Sequence, residues 1–427
     1  MANTVNPPRG MRDFLPADKA RREHALGVIR AGYAAQGFDE IETPVMEDAS
    51  RLHSGLGGDN EKLAFGILRR GLSADAVAEL AAVGDLEGLT DLGLRFDLTV
   101  PLARFYASHR AALPNVFKSI QIAPVWRAER PQKGRYRQFV QCDIDIIGEP
   151  GAIAEIELIT ATIATLDALG LTGCAIRINH RAILRSLIAW WGVAEADYER
   201  AMITIDKEDK IGVEGVVAEL VDLGLVDDSA SQTVAESLSG LPDDGWNLDR
   251  GVVPPPAWLD THAYRQLHEI RDAVAAVAPG TPLVFSHNLV RGMGYYTGAI
   301  FEIQHPELGY SLGGGGRYDG MIGRFLGRDV PAVGFSLGFE RIVDLITVPE
   351  DRQTDGIVLV YDRDVEPATL LRIKTQLVGS GARVRLERRV KNLKPLLERL
   401  ADAGYTRFAP VMSDTRQVSD LQFRDLA

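Results

Sequence analysis

Val125–Gln141 reads Val-Trp-Arg-Ala-Glu-Arg-Pro-Gln-Lys-Gly-Arg-Tyr-Arg-Gln-Phe-Val-Gln. The apolar run Ile120–Trp126 that leads into it reads as a buried strand. Pro131 and Gly134 punctuate a polar loop. Phe139–Ile147 then alternates, with Val140, Cys142, Ile144 and Ile146 on one face and Gln141, Asp143 and Asp145 on the other. Strand, loop and strand predict a hairpin. Its loop is basic: five cations, Arg127, Arg130, Lys133, Arg135 and Arg137, fall within eleven residues. Pleating puts Arg127 and Glu129 on one strand face. A guanidinium grips a phosphate through two hydrogen bonds, and a carboxylate beside it accepts from an exocyclic amine, a pairing that suits a nucleotide. A solvated basic hairpin is the other reading of the same residues.

Four further segments carry chemistry. Asp91–Tyr106 reads Asp-Leu-Gly-Leu-Arg-Phe-Asp-Leu-Thr-Val-Pro-Leu-Ala-Arg-Phe-Tyr. Arg95, Asp97 and Thr99 alternate there with Leu94, Phe96 and Leu98, which predicts a strand with one polar face. On it, Asp97 either pairs with Arg95 or holds an ammonium. Leu283–Ile303 places Arg291 among apolar neighbours, where an unpaired guanidinium is costly. Glu302 lies far along the next strand, so an anionic ligand is the simpler partner. Gly292, Gly294 and Gly298 mark tight turns or a close backbone approach. Ser311–Tyr318 is a tetraglycine followed by Arg317 and Tyr318. It reads as a close approach to phosphate or adenine, or as a flexible turn. Val333–Val343, Val-Gly-Phe-Ser-Leu-Gly-Phe-Glu-Arg-Ile-Val, leads into a helix and carries Arg341.

These segments together resemble the class II aminoacyl-tRNA synthetases, in the form found in histidyl-tRNA synthetases. Val125–Gln141 resembles motif 2 of that family. Val333–Val343 resembles motif 3, and Phe38–Val45 the long strand of motif 1. Pro8–Pro16 resembles the family's entry segment, and Arg95-x-Asp97-x-Thr99 its amine-binding segment. Leu289–Tyr296 resembles the histidine-specific peptide Leu-x-Arg-Gly-Leu-Asp-Tyr-Tyr, with Gly294 where the pattern has Asp. The resemblance runs from Pro8 to about Leu426 and is weakest after Pro349.

Composition agrees with a soluble globular chain of two or three domains. It has 427 residues, 46% of them hydrophobic and 25% charged. A net charge of −12 excludes a global basic field, so a polyanion would bind at local patches. Two cysteines, Cys142 and Cys174, are too few for a disulfide framework or a cysteine-rich zinc site, and suggest a reducing compartment. No apolar run approaches membrane-spanning length, and Met1–Arg12 lacks a signal core. The expected location is cytoplasmic.

Periodicity predicts helices at Ala17–Gln36, Ala74–Leu89, Glu149–Leu169, Arg181–Trp191, Val213–Leu223 and Tyr264–Val277. Gly55–Gly58 begins a loop, and Pro349–Thr354 a linker. Beyond the linker, strands at Gly356–Tyr361, Val384–Leu386 and Phe408–Val411 alternate with helices at Pro367–Ser380 and Leu393–Ala403, an α/β order. The resemblance implies an α+β catalytic domain with a central antiparallel sheet, residues 1–348. A small helical insertion interrupts it at about 193–256, opening on Ile205–Gly212. A C-terminal α/β domain of the anticodon-binding kind follows at 355–427, shortened by its usual last helix. Arg383, Arg385, Arg388, Arg389, Lys391 and Lys394 form a basic patch there, read as a tRNA contact against a solvated face.

The implied chemistry is ATP-dependent activation of L-histidine, then transfer to the 3' end of histidine tRNA, with Mg2+ screening the phosphates and motif 1 building a homodimer. By the same resemblance Arg127 clamps the α-phosphate and carboxylate, with Arg291 opposite. Glu129 accepts from the adenine amine, and Phe139 and Arg341 sandwich the base. Asp97, Leu98 and Thr99 receive the ammonium end of histidine. Gln141, Asp145, Tyr295, Tyr296 and Tyr318 bracket the imidazole, directly or through water at Asp145. Two other readings are a regulatory subunit such as that of ATP phosphoribosyltransferase and a paralogue that adenylates histidine for another acceptor. Such regulators tend to lose the Arg of the histidine peptide, which this chain keeps as Arg291.

Overall fold

The computed structural model describes residues 5–53, 63–85, 87–131, 134–239, 246, 255–291, 294–347 and 356–426. The expected loop at Gly55–Gly58 and linker at Pro349–Thr354 lie outside them, as do Gly292 and Lys133. The chain divides into two compact units, residues 1–12 with 26–346 and residues 13–25 with 347–427.

Among the described residues the strands in chain order are β1 (Asp39–Glu40), β2 (Met46–Asp48), β3 (Phe65–Leu68), β4 (Thr90–Leu94), β5 (Phe117–Trp126), β6 (Gln138–Ile147), β7 (Ala175–His180), β8 (Leu283–Phe285), β9 (Ala299–Gln304), β10 (Gly313–Arg317), β11 (Ala332–Gly338), β12 (Gly356–Tyr361), β13 (Arg383–Arg388), β14 (Arg407–Val411) and β15 (Arg424–Asp425). The first unit is built on a sheet of order β1-β5-β6-β11-β10-β9-β7-β8, antiparallel from β5 to β7 with a parallel strand at each edge. This is the expected central antiparallel sheet. A smaller sheet, β2-β4-β3, accompanies it.

The alternation of β6 explains how the sheet divides its faces. Cys142, Ile144 and Ile146 are fully buried. Helix Ile153–Ala168 packs on β6 and β11 with Leu158, Ile159 and Leu166 buried. Each such aliphatic side chain stabilises the fold by roughly 1.5–3 kcal/mol. The helix begins four residues later than expected because Pro150 and Gly151 hold the preceding segment open, and this leaves Ile153 half exposed. Helices Tyr198–Ile205, Glu208–Asp222 and Ser231–Leu238 occupy the segment after Val193, the second of them kinked at Gly212.

Several expectations are corrected. Residues 95–99 are not a strand: β4 stops at Leu94, and helix Thr99–His109 starts where Asp97 Oδ1 accepts the amide of Val100 at 3.1 Å. Pro101 in the first turn costs that helix no hydrogen bond. Arg95 does not pair with Asp97. Its guanidinium donates to the carbonyls of Thr43, Pro44 and Pro124 at 2.8, 3.2 and 3.0 Å. The strand expected at Phe38–Val45 is reduced to β1, two residues long. The helix expected at Ala74–Leu89 closes at Ala82.

The tetraglycine is neither turn nor flexible loop. It is β10, hydrogen-bonded between β9 and β11. A Cβ added at Gly315 would lie 1.9 Å from the Gly334 carbonyl oxygen, so the strand is glycine because its neighbours leave no room for a side chain.

In the second unit a mixed sheet, β13-β12-β14-β15, is parallel except at β15. Helix Pro367–Gly379 buries Leu370, Ile373 and Leu377 with Ile357 and Leu359 of β12, and Leu400 of helix Lys394–Asp402 joins Val358 and Val360.

Candidate active site

A cleft of about 810 Å3 opens over β6, β10 and β11. It is lined by Thr99, Arg127, Glu129, Phe139, Gln141, Asp145, Arg291, Tyr295, Tyr296, Tyr318 and Arg341, so eleven of the expected residues face one cavity. Asp97 and Leu98 do not line it. Asp97 is buried just behind, close enough to Asp145 and Tyr295 to act on their charge, and Leu98 is a core residue whose carbonyl accepts from Gln121 at 3.1 Å.

The hairpin places the first cation. β5 ends at Trp126, so Arg127 and Glu129 stand beyond the strand rather than on its face. The pairing continues one step, Arg127 amide to Arg137 carbonyl at 2.8 Å. Arg127 Nε donates to the Phe96 carbonyl at 2.9 Å, and its guanidinium lies 5.1 Å from the centre of the Phe139 ring. Glu129 pairs with Arg135 at 2.8 Å. Glu340, beside Arg341, accepts the Val140 amide at 3.2 Å and pairs with Arg12, which ties the entry segment to the hairpin and to helix Phe339–Ile342.

Arg291 is corrected most sharply. Its Nη1 meets Glu302 Oε2 at 2.6 Å, although the sequence reading preferred a ligand to that carboxylate. The strand β9 carries Glu302 back alongside the loop that holds Arg291, a proximity that sequence distance hides. Among the described residues five arginines line the cleft. Three of them hold carboxylates: Arg135 with Glu129, Arg181 with Glu199, Arg291 with Glu302. Arg127 and Arg341 instead give their guanidinium groups to carbonyls and ring faces, of Phe96 and Phe139 and of Ser311 and Tyr310.

The wall formed by β6 is acidic and buried. Gln141, Asp143 and Asp145 alternate along β6, all at most 9% exposed. Burial, then the neighbouring Asp145, holds the carboxyl of Asp143 well above the carboxylate range. Burial also pushes Asp145 up to about 7. Tyr318 donates to Asp145 Oδ1 at 2.6 Å, and Tyr295 meets the Tyr318 ring edge-on with centroids 5.9 Å apart. Glycines make the space. A Cβ at Gly334 would lie 2.0 Å from Asp145 Oδ1, one at Gly314 2.8 Å from Arg291 Cζ, and one at Gly316 2.8 Å from Tyr296.

Sequence reasoning placed Asp143 on the right face but left it out of the site. Glu199, Met202 and Asp206, from the helices after Val193, also line the cleft and gave no local signal. Chemically, the cavity offers fixed cations to an anion, and buried acids and phenols to a polar ring or an ammonium.

A family model described as histidyl-tRNA synthetase matches residues 66–342. The chain is 61% identical over 425 residues to the histidine–tRNA ligase of Leifsonia xyli subsp. xyli (strain CTCB07), covering 98% of both. It is 38% identical over 349 residues to the histidine–tRNA ligase of Aeropyrum pernix, covering 79% of this chain and 73% of that one. Among solved structures, histidyl-tRNA synthetase from Nostoc sp. PCC 7120 superposes with a TM-score of 0.74 at 23% identity, over 99% of this chain and 97% of the other. A Bacillus halodurans protein titled ATP phosphoribosyltransferase regulatory subunit/histidyl-tRNA synthetase gives the same TM-score at 21% identity, over 96% of this chain and 99% of that one. Both likenesses are of fold.

Proposed function

Because the chain belongs to the histidyl-tRNA synthetase family, we infer that it activates L-histidine with ATP and transfers it to the 3' end of histidine tRNA. The observation that carries the reading is the mixed lining of the cleft. Arg127 and Arg341, whose guanidinium groups meet carbonyls and ring faces rather than carboxylates among the described residues, are available to an anion, and Gln141, Asp143, Asp145 and Tyr318 add a buried polar wall. A carboxylate oxygen of histidine attacks the α-phosphorus of ATP in line. The bond to the bridging oxygen breaks, and pyrophosphate leaves. A ribose hydroxyl of the tRNA then attacks the acyl carbon and AMP leaves. The protein positions two anions and neutralises the charge that develops between them.

Arg127 clamps the α-phosphate and the histidine carboxylate, and Arg291 approaches the same group. Phe139 and Arg341 flank adenine, with Glu129 at its amine. Asp97 and Thr99 set the ammonium end. Asp145, Gln141, Tyr295, Tyr296 and Tyr318 bracket the imidazole. Leu98, buried and outside the cleft lining, supports the ammonium end as a core residue beside Asp97 and Thr99.

Among the described residues no group of three or more His, Cys, Asp or Glu side chains could hold a metal. Mg2+ enters this reading with the substrate, on the triphosphate, as a cation held by phosphates and few carboxylates. Val45, Met46 and Leu68 expose apolar surface on or beside the small sheet, which supports a homodimer through the motif 1 region. The reaction draws on ATP and tRNA, and the two cysteines are buried and not joined in a disulfide, which suits the cytoplasm. No described helix is long and apolar enough to cross a membrane.

Charging of histidine tRNA with labelled histidine tests the transfer step. Esterified histidine is expected. Activation of histidine without esterification would point to another acceptor.

A further inference from the structure

Arg177 lies outside the cleft on β7, directly across the sheet from Glu302 of β9. It does not line the cavity where substrate would sit, yet it contacts both the loop that leads to Arg291 and the counter-ion of Arg291. Its Nε and Nη2 donate to Ser286 Oγ at 3.1 and 2.7 Å, and Nη2 also reaches Asn288 Oδ1 at 3.3 Å. Ser286 in turn donates to Asn288 Oδ1 at 2.8 Å. Residues 286–291 form the loop that ends in Arg291. Asn179, two residues along β7, fixes the same loop by donating to the carbonyls of His287 and Leu289 at 2.9 and 3.1 Å. The remaining nitrogen of Arg177 faces the counter-ion of Arg291. Glu302 Oε1 lies 3.7 Å from Arg177 Nη1, while Glu302 Oε2 lies 2.6 Å from Arg291 Nη1.

We propose that Arg177 is a positioning residue for the activation step, setting Arg291 at the cleft wall through the Ser286–Asn288 loop on one side and through the shared Glu302 carboxylate on the other. The planar guanidinium suits this task because its fork serves two partners at once in fixed directions. Sharing Glu302 matters chemically. A carboxylate divided between two cations restrains Arg291 without fully neutralising it, so the pair keeps positive character for the α-phosphate. Arg177, Asn288 and Glu302 line a small crevice whose other acids, among the described residues, are Asp206 and Glu208, and Glu208 accepts from Asn288 Nδ2 at 3.0 Å, which braces the loop from the helical segment.

The inference rests on the reading of Arg291 as the second cation at the α-phosphate, and a double-mutant cycle separates the two. Arg177→Met keeps the bulk of the stem and removes the fork. Its histidine-dependent pyrophosphate exchange should show kcat lowered by about tenfold to a hundredfold with the histidine KM nearly unchanged, the cost of misplacing a group near the chemistry. Arg177→Lys should recover part of the rate, since it keeps the charge toward Glu302. Ser286→Ala, a mild change that leaves the charges in place, should shift kcat the same way. In an Arg291→Ala background, Arg177→Met should cost nothing further. Losses that multiply, or an Arg177→Met enzyme with wild-type kcat, would overturn the proposal while leaving the role of Arg291 intact. An Arg291→Ala enzyme with wild-type exchange would overturn that role and the proposal with it.

Discussion

Tyr318 and Asp145 are joined by a hydrogen bond of 2.6 Å, from a residue just past the glycine strand to one on the second strand of the hairpin. The bond closes the acidic end of the cleft, and it reaches across β11 at the point where Gly334 lacks a side chain. Gly334→Ala should therefore displace the Asp145 carboxylate. The histidine KM should rise about tenfold or more while the ATP KM holds. Steady-state exchange kinetics check this, and equal changes in both constants would count against a histidine-specific wall.

Asp145 makes the stability of the substrate-free protein depend on pH. Burial raises its carboxyl to about 7, while the unfolded chain releases that proton near the ordinary value of about 4. The folded state keeps the proton longer, so this contribution is complete below about pH 4 and is lost as pH rises through about 7. Asp145→Asn should be more stable than the parent at pH 8, by roughly 2–4 kcal/mol, with the difference shrinking toward pH 4. Thermal melts across that range give the answer. A difference independent of pH would mean that Asp145 is charged throughout.

The hairpin was legible because alternation, Pro131 and Gly134 are local signals. Arg127, Arg291 and Arg341 were legible for the same reason, since each resembled motif sits in one continuous stretch, whereas Arg181 gave no such signal. Asp97 was misplaced because alternation over five residues mimics a strand, while Pro101 and a capping carboxylate start a helix instead. The Arg291–Glu302 pair was missed because it depends on how β9 runs back beside the loop that carries Arg291. Arg177 lay deeper still. Its role requires the β7–β9 register, which no local pattern in the chain encodes.

Asp97 stands behind the wall rather than on it, so its effect should be confined to one substrate. Asp97→Asn should raise the histidine KM with little change for ATP. Loss of ATP binding instead would place the ammonium elsewhere.

The second unit's basic patch is partly neutralised within itself. Arg385 pairs with Glu387 at 2.5 Å and Arg389 with Asp362 at 3.1 Å, whereas Arg388 and Lys391 are exposed. Arg388→Glu with Lys391→Glu should weaken tRNA charging most at low salt, flatten its salt dependence, and spare pyrophosphate exchange. Unchanged charging over a salt series would return the patch to ordinary solvated surface.

The most direct test of the cleft as a histidine-activating site is amino-acid-dependent pyrophosphate exchange by the full chain and by Arg127→Ala. The full chain should exchange with histidine and not with other standard amino acids. Arg127→Ala, folded by circular dichroism, should lose that exchange by several orders of magnitude, as removal of a charge clamp from a dry site costs roughly 3–5 kcal/mol or more. A folded full chain with no histidine-dependent exchange, or an Arg127→Ala variant that exchanges at the parent rate, would contradict the account.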